Sequence, residues 1–144
     1  MTQRIVPMIA YEDAASTIDW LDGTFGFAER VDQRYTDDSA VMTHAELDLE
    51  GATVYVSTPT PEYVSPRRHR ETCEIARRSF DNPWVIDGVF VEVEDVGAHH
   101  ARAVAAGAEV LREPEEPGIE YRIYSVEDLE GHRSMFGQRL EDGE

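Results

Sequence analysis

The stretch F-V-E-V-E-D-V-G-A-H-H-A-R-A-V-A-A-G, Phe90 to Gly107, decides the fold because the chain contains it twice in altered form. Met8 to Gly26 reads M-I-A-Y-E-D-A-A-S-T-I-D-W-L-D-G-T-F-G. Each copy opens on a short apolar strand, passes through Glu-Asp, runs through about three turns of helix and stops at glycine. Asp13 and Asp95 stand where an N-cap belongs, accepting from the free amides of the first helical turn. On the first helix Ala14, Ile18 and Leu21 recur at helical spacing, with Trp20 beside them. On the second, Val96, Ala103 and Val104 predict a narrow buried stripe. Gly107 reads as a C-cap, where a positive φ costs glycine nothing.

After each helix the pattern changes to strands. In the first half these are Phe27–Tyr35, Val41–Leu49 and Thr53–Ser57, with turns at Thr36–Ser39 and Glu50–Gly51. In the second they are Glu109–Arg112, Glu120–Val126 and Arg133–Gly137, with turns at Pro114–Gly118 and Asp128–Gly131. The predicted fold is α+β: strand, helix, three strands, given twice as two βαβββ modules. Residues 1–144 form one domain, with module one over about 1–60, a linker over about 61–84 and module two over about 85–140.

The chain is acidic: 30 Asp and Glu face 13 basic residues, a formal net charge of -17. Such a surface repels a phosphate backbone, which argues against a nucleic-acid partner. All 13 basic residues are arginine. A GC-rich genome and a salt-adapted proteome both account for that. Cys73 stands alone, which excludes an intrachain disulfide and suits a reducing, cytoplasmic home. The early apolar run Ile5–Ala10 contains Pro7 and soon meets Glu12 and Asp13, too short for a signal peptide or a membrane span. Only the tail E-D-G-E has a disordered composition.

Four segments carry a wider resemblance: Y-E-D-A-A-S-T-I-D-W-L (11–21), H-A-E-L-D-L-E-G (44–51), V-E-D-V-G-A-H-H-A-R-A-V-A-A-G-A (93–108) and V-E-D-L-E-G-H-R-S-M-F (126–136). In this order the chain resembles the vicinal oxygen chelate superfamily of glyoxalases, bleomycin-resistance proteins and extradiol dioxygenases. The H-A-E-L strand is most similar to its short bacterial glyoxalase-like branch. The resemblance implies two cupped mixed sheets around a cavity, helices on the outer side, and a homodimer.

It also implies a divalent metal held by side chains from the first and fourth strands of each module. A Lewis-acid metal needs imidazole or carboxylate ligands with positions left open for substrate. Carried over by spacing, the four positions fall on Val6, Gly88, Met135 and either Tyr55 or Ser57. Val6, Gly88 and Met135 cannot serve as ligands to a hard metal, and a one-residue slide recovers only Asp87. The usual metal centre is therefore read as absent, with no cofactor expected.

Alternate strand residues face opposite sides of a sheet, which sorts the remaining candidates. Arg133 and Met135 share the inward face of the last strand, opposite His132, Ser134 and Phe136. Gly88, Phe90 and Glu92 face inward on theirs, with Val89, Val91 and Val93 against a helix. Ala45, Leu47 and Leu49 form an apolar set opposite His44, Glu46 and Asp48, as Val54 and Val56 lie opposite Tyr55 and Ser57. The inferred cavity is lined by Met8, Tyr55, Phe90 and Met135, with His44, Glu46, Glu92 and Arg133 as polar contacts. Apolar walls with a few polar groups suit a small organic ligand. His44 with Glu46 could form a non-standard metal pair, a base with its orienting carboxylate, or an ordinary half-exposed strand face.

Other polar groups read as structural. His99 and His100 sit mid-helix on or near an exposed side, and His132 is expected to anchor its turn by hydrogen bonding. In the linker, His69, Cys73, Ala76 and Phe80 make a stripe if the segment is one helix. Arg67, Arg68, Arg70, Arg77 and Arg78 form a basic patch, read as an anion-binding lid, an acidic-partner surface or a contact with the chain's own acids. The leading expectation is sequestration or resistance-type binding of a small molecule, with no membrane and no nucleic acid involved. The alternatives are a lyase, isomerase or dioxygenase working through residues such as His44, Glu46, Tyr55 or Glu92, and an interaction module docking through the linker.

Overall fold

A computed structural model describes residues 3–82 and 87–141, and the chain forms two compact units, Met1–Ser65 and Pro66–Glu144. The acidic tail beyond Glu141 and the end of the linker at residues 83–84 lie outside the described residues. The first unit comprises β1 (Met8–Ala10), α1 (Ala14–Phe25), β2 (Ala28–Glu29), β3 (Tyr35–Thr36), β4 (Met42–Leu49) and β5 (Ala52–Ser57). The second begins with α2 (Pro66–Thr72) and α3 (Glu74–Phe80). It continues with β6 (Gly88–Glu92), α4 (Val96–Ala105), β7 (Glu109–Glu115), β8 (Tyr121–Glu127) and β9 (Arg133–Arg139).

The two sheets share one plan. The first runs β1-β5-β4-β2, with β3 also on β4, and the second runs β6-β9-β8-β7. In each, the first strand lies parallel to the last and every other pair is antiparallel. The βαβββ repeat read from the sequence is therefore the architecture. The predicted strand Phe27–Tyr35 is an exception: it breaks into β2, a 3₁₀ turn at Val31–Gln33 and β3. Glu29 and Gln33 interrupt the face that Phe27, Val31 and Tyr35 would share, so no continuous apolar face holds a straight strand.

The apolar side of each sheet joins its helix in a core. In the first unit Ala45, Leu47, Val54 and Val56 are buried together with Ala14, Ile18, Leu21 and Phe25. Each large side chain of this kind contributes about 1.5–3 kcal/mol. In the second unit Val91, Val93, Tyr124, Val126 and Phe136 are buried with Val96 and Ala103. Val104 does not join them and is 51% exposed. The third inward residue of α4 is His99, which completes the 96, 99, 103 phase of a helix face and was misread as lying near an exposed side. Its ring stacks 4.1 Å from Phe136, and Nδ1 lies 2.6 Å from the Tyr124 hydroxyl. Burial pushes the Tyr124 phenol well above its ordinary value, so the hydroxyl stays protonated and can donate to His99.

Both helices are capped in the same way. Asp13 accepts from the Ser16 amide and Asp95 from the Ala98 amide. The first helical amide in each case also donates to a side chain one residue beyond equivalent positions of the last strand, Ala14 to Thr58 Oγ1 and Val96 to Gln138 Oε1. Each cap is worth about 1 kcal/mol.

The linker is not one helix. Cys73 is extended, at φ -129 and ψ 114, between α2 and α3, so the His69-to-Phe80 stripe does not lie along one continuous helix. Its arginines are turned onto the second unit's own acids. Arg70 Nη1 lies 2.5 Å from the Glu127 carboxylate, and Arg67 Nη2 donates to the Asp128 carbonyl at 3.1 Å. The guanidinium groups of Arg70 and Arg133 both lie over the Phe80 ring, at 4.3 and 4.8 Å. Arg77 and Arg78 reach Glu74. Glu127 is 2% exposed, and burial pushes its carboxyl above the ordinary value despite the opposing Arg70 charge.

The turn from Asp128 to Gly131 seats α2. The Asp128 carboxylate accepts from the amides of Glu130 and His132, and the Arg67 amide donates to the Glu130 carbonyl. His132 thus anchors the turn by hydrogen bonding, as expected, and does so through its backbone amide. Gly131 adopts φ +90, and a Cβ there would stand 2.7 Å from the Arg67 backbone nitrogen. Gly131→Ala combines left-handed strain with a backbone clash and is expected to lower stability by about 2–4 kcal/mol in urea unfolding. For Glu127 the folded chain holds its proton to higher pH than the unfolded chain does. Its contribution is therefore largest below its ordinary value of 4.5 and declines as the pH rises toward the raised folded value. The stability of wild type relative to Glu127→Gln should accordingly fall as the pH rises from below 4.5 toward neutrality. A flat difference in denaturant midpoints across that range would show that the carboxyl is not perturbed.

Candidate functional site

The candidate residues divide four and four between the two sheets. On the first, Tyr55 pairs with Met8 on one side and Glu46 on the other, so the three share a face opposite Val54 and Val56. His44 is two residues from Glu46 along β4 and takes the same side. Its Nε2 lies 2.9 Å from a Glu46 carboxylate oxygen, and its ring meets Tyr55 edge-on at 4.9 Å and Tyr35 at 6.0 Å. Arg30 stands behind the pair, 3.7 Å from Glu46 and 2.5 Å from Asp48. Burial tends to raise the Asp48 carboxyl, but hydrogen bonds from Arg30 and Thr53 outweigh it and hold it below its ordinary value. The same hydrogen bond raises the Arg30 guanidinium above its own. Met8, 80% exposed, adds an apolar edge.

On the second sheet Gly88 pairs with Arg133, Phe90 with Met135 and Glu92 with Gly137. Phe90 is 45% exposed, and its ring meets Tyr121 edge-on at 5.2 Å. The Tyr121 hydroxyl lies 3.2 Å from Glu92, and Arg139 stacks on the Tyr121 ring at 4.5 Å. A Cβ on Gly137 would come within 2.5 Å of the Phe90 ring and 3.2 Å of Tyr121, so the missing side chain makes room for both rings. Sequence reading passed over Tyr121, Gly137 and Arg139. A glycine inside a strand was the signal available for them. Arg133, expected as a polar ligand contact, is 8% exposed and donates to the carbonyls of Phe80 and Asn82. That arrangement fastens the linker.

The shared register also fixes which residues are equivalent. Met8–Tyr55 in the first sheet corresponds to Phe90–Met135 in the second, which selects Tyr55 over Ser57 as the counterpart of Met135. The four positions implied for a metal are then Val6, Tyr55, Gly88 and Met135. This set contains no imidazole or carboxylate, and it does not fit a hard divalent ion. Among the described residues no three His, Cys, Asp or Glu side chains converge as a metal site requires. The His44–Glu46 pair is spent on a mutual hydrogen bond and has Arg30 beside it, an arrangement that disfavours a second cation. His100 lies 2.7 Å from Glu113 on another element and takes no part in either face. Among the described residues no helix is long and apolar enough to cross a membrane.

Among curated proteins none matches the chain. Solved structures do. TioX from Micromonospora sp. ML1 is 28% identical, with 99% of this chain and 100% of that one covered at a TM-score of 0.64. TnmS3, an antibiotic binding protein from Streptomyces sp. CB03234, is 16% identical over 96% of this chain and 98% of its own, at a TM-score of 0.60. The genomically encoded fosfomycin resistance protein FosX from Listeria monocytogenes is 13% identical over 96% and 93%, also at 0.60. A family model matches residues 4–136. With both βαβββ units in place, the chain belongs to the Glyoxalase/Bleomycin resistance protein/Dioxygenase superfamily.

Proposed function

We propose that this protein binds a small organic molecule, in a sequestering or resistance role, without a metal at the superfamily's usual positions. The observation that carries the reading is the chemistry of the equivalent positions: Val6, Tyr55, Gly88 and Met135 offer apolar, aromatic or empty space where metal ligands would stand. Within its own unit the first sheet presents Met8, His44, Glu46 and Tyr55 on one face, and within its own unit the second presents Phe90, Glu92 and Met135. Soft and aromatic surface with a few oriented polar groups is what a small-molecule site needs. The fold supports the reading, since proteins sharing it include an antibiotic binding protein and a fosfomycin resistance protein. A homodimer and a cytoplasmic location belong to the same proposal, the first from the superfamily and the second from the lone Cys73.

The alternative is an enzyme of lyase, isomerase or dioxygenase type, and the His44–Glu46 hydrogen bond is the observation that favours it. Thermal-shift measurements separate the two. A panel of aromatic and glycopeptide-like compounds should raise the melting temperature, by about 5 °C or more at a hundred times Kd. Tyr55→Ala and Phe90→Ala should each weaken binding roughly five-fold, the scale of one lost aromatic contact. Stabilisation by divalent metals alone, with a stoichiometric metal in elemental analysis of untagged protein that is lost in His44→Ala, would decide for the enzyme.

A further inference from the structure

The His44–Glu46 pair has a polarity that neither a metal pair nor a passive strand face requires. An ionised carboxylate can only accept a hydrogen bond, so the 2.9 Å contact places a proton on His44 Nε2. In the neutral imidazole the lone pair is then on Nδ1, which has no hydrogen-bond partner among the described residues. Every group packed around this histidine agrees with that assignment. Glu46 fixes the tautomer, Arg30 at 3.7 Å and its partner Asp48 hold Glu46 in place, and the rings of Tyr35 and Tyr55 flank the imidazole. Tyr35 is also the strand partner of His44 across β3 and β4, so the ring is restrained from two sides. The arrangement is an oriented base with its carboxylate, on the same sheet face as the apolar edge at Met8.

The geometry points to His44 as a proton acceptor for an acidic hydroxyl, phenolic or enolic, on the molecule bound at this face. This rests on the small-molecule reading above and narrows it to a ligand class. In the step the ligand O–H bond breaks, its electron pair stays on oxygen, and an N–H bond forms at Nδ1. The imidazolium keeps its Nε2–H on Glu46, which compensates the new charge, and the ligand is held as an oxyanion. Nothing is oxidised or reduced, and no co-reactant is needed.

The test uses para-nitrophenol, whose anion is coloured, and para-nitroanisole, which has the same ring and no acidic proton. Both are titrated against the full chain at a pH below the free phenol's own ionisation. The expected result is that bound nitrophenol shows the anion's absorption and binds roughly ten-fold tighter than nitroanisole, the discrimination of one charge-assisted hydrogen bond. His44→Gln should still bind both compounds, without the anion band and without the preference. Glu46→Gln should diminish the band, and Tyr55→Phe should keep it. Urea midpoints confirm that each variant is folded. Neutral nitrophenol bound to the wild type overturns the proton-acceptor role, and nitroanisole binding then shows that the small-molecule reading survives. An anion band that persists in His44→Gln overturns the assignment to this residue. Failure of either compound to bind the first unit's face, read as no response to Tyr55→Ala, overturns it as well.

Discussion

Parallel pairing of the first strand with the last holds each unit together. A strand that leaves through a helix and two further strands has to return beside its own beginning. The chain secures that return at the point of contact. Tyr11 and Val93 donate their amides to the carbonyls of Ser57 and Gly137, and the next residue in each last strand, Thr58 or Gln138, caps the helix. Strand closure and helix start are thus fastened by one short segment in each unit. The residues immediately before it, Tyr55 and Met135, are thereby fixed in depth and direction beside Met8 and Phe90.

This symmetry explains how much could be read without coordinates. The two Glu-Asp junctions and the alternation in β4, β5 and β6 revealed the modules and which side chains share a face. They could do so because strand parity and helix phase are local properties. What could not be read depended on partners far away in sequence. His99 looks like a surface residue until Tyr124 and Phe136 supply its environment. Arg133 has the parity of a ligand contact, yet its two Nη groups donate to the Asn82 and Phe80 carbonyls. The strand expected at Phe27–Tyr35 failed for a reason that was legible, since Glu29 and Gln33 interrupt its apolar face. The candidate faces were outlined by alternation, whereas the His44–Glu46 hydrogen bond and the Phe90–Tyr121 contact needed coordinates.

The two units have the same frame and different electrostatics. Asp48 and Glu127 occupy equivalent register positions and each is paired with an arginine. Asp48 with Arg30 is open to water, where such a pair contributes little and mainly orients its neighbours. Glu127 with Arg70 is buried, where breaking the pair is costly and its presence fixes the linker helix against the Asp128 turn. An acid at one register position is part of a polar face in one unit and a structural fastening in the other.

Gly137 ties its strand's future to one aromatic ring. Every replacement of that glycine adds a carbon 2.5 Å from the tip of the Phe90 ring, so a change there requires that half-exposed ring to swing aside. A lineage that first shortened Phe90 would lift the restriction and could then fill the gap with almost any small residue. After that second change, a returning phenylalanine would have to seat its ring elsewhere. The two positions are therefore coupled, and related chains should tend to carry the ring together with the glycine.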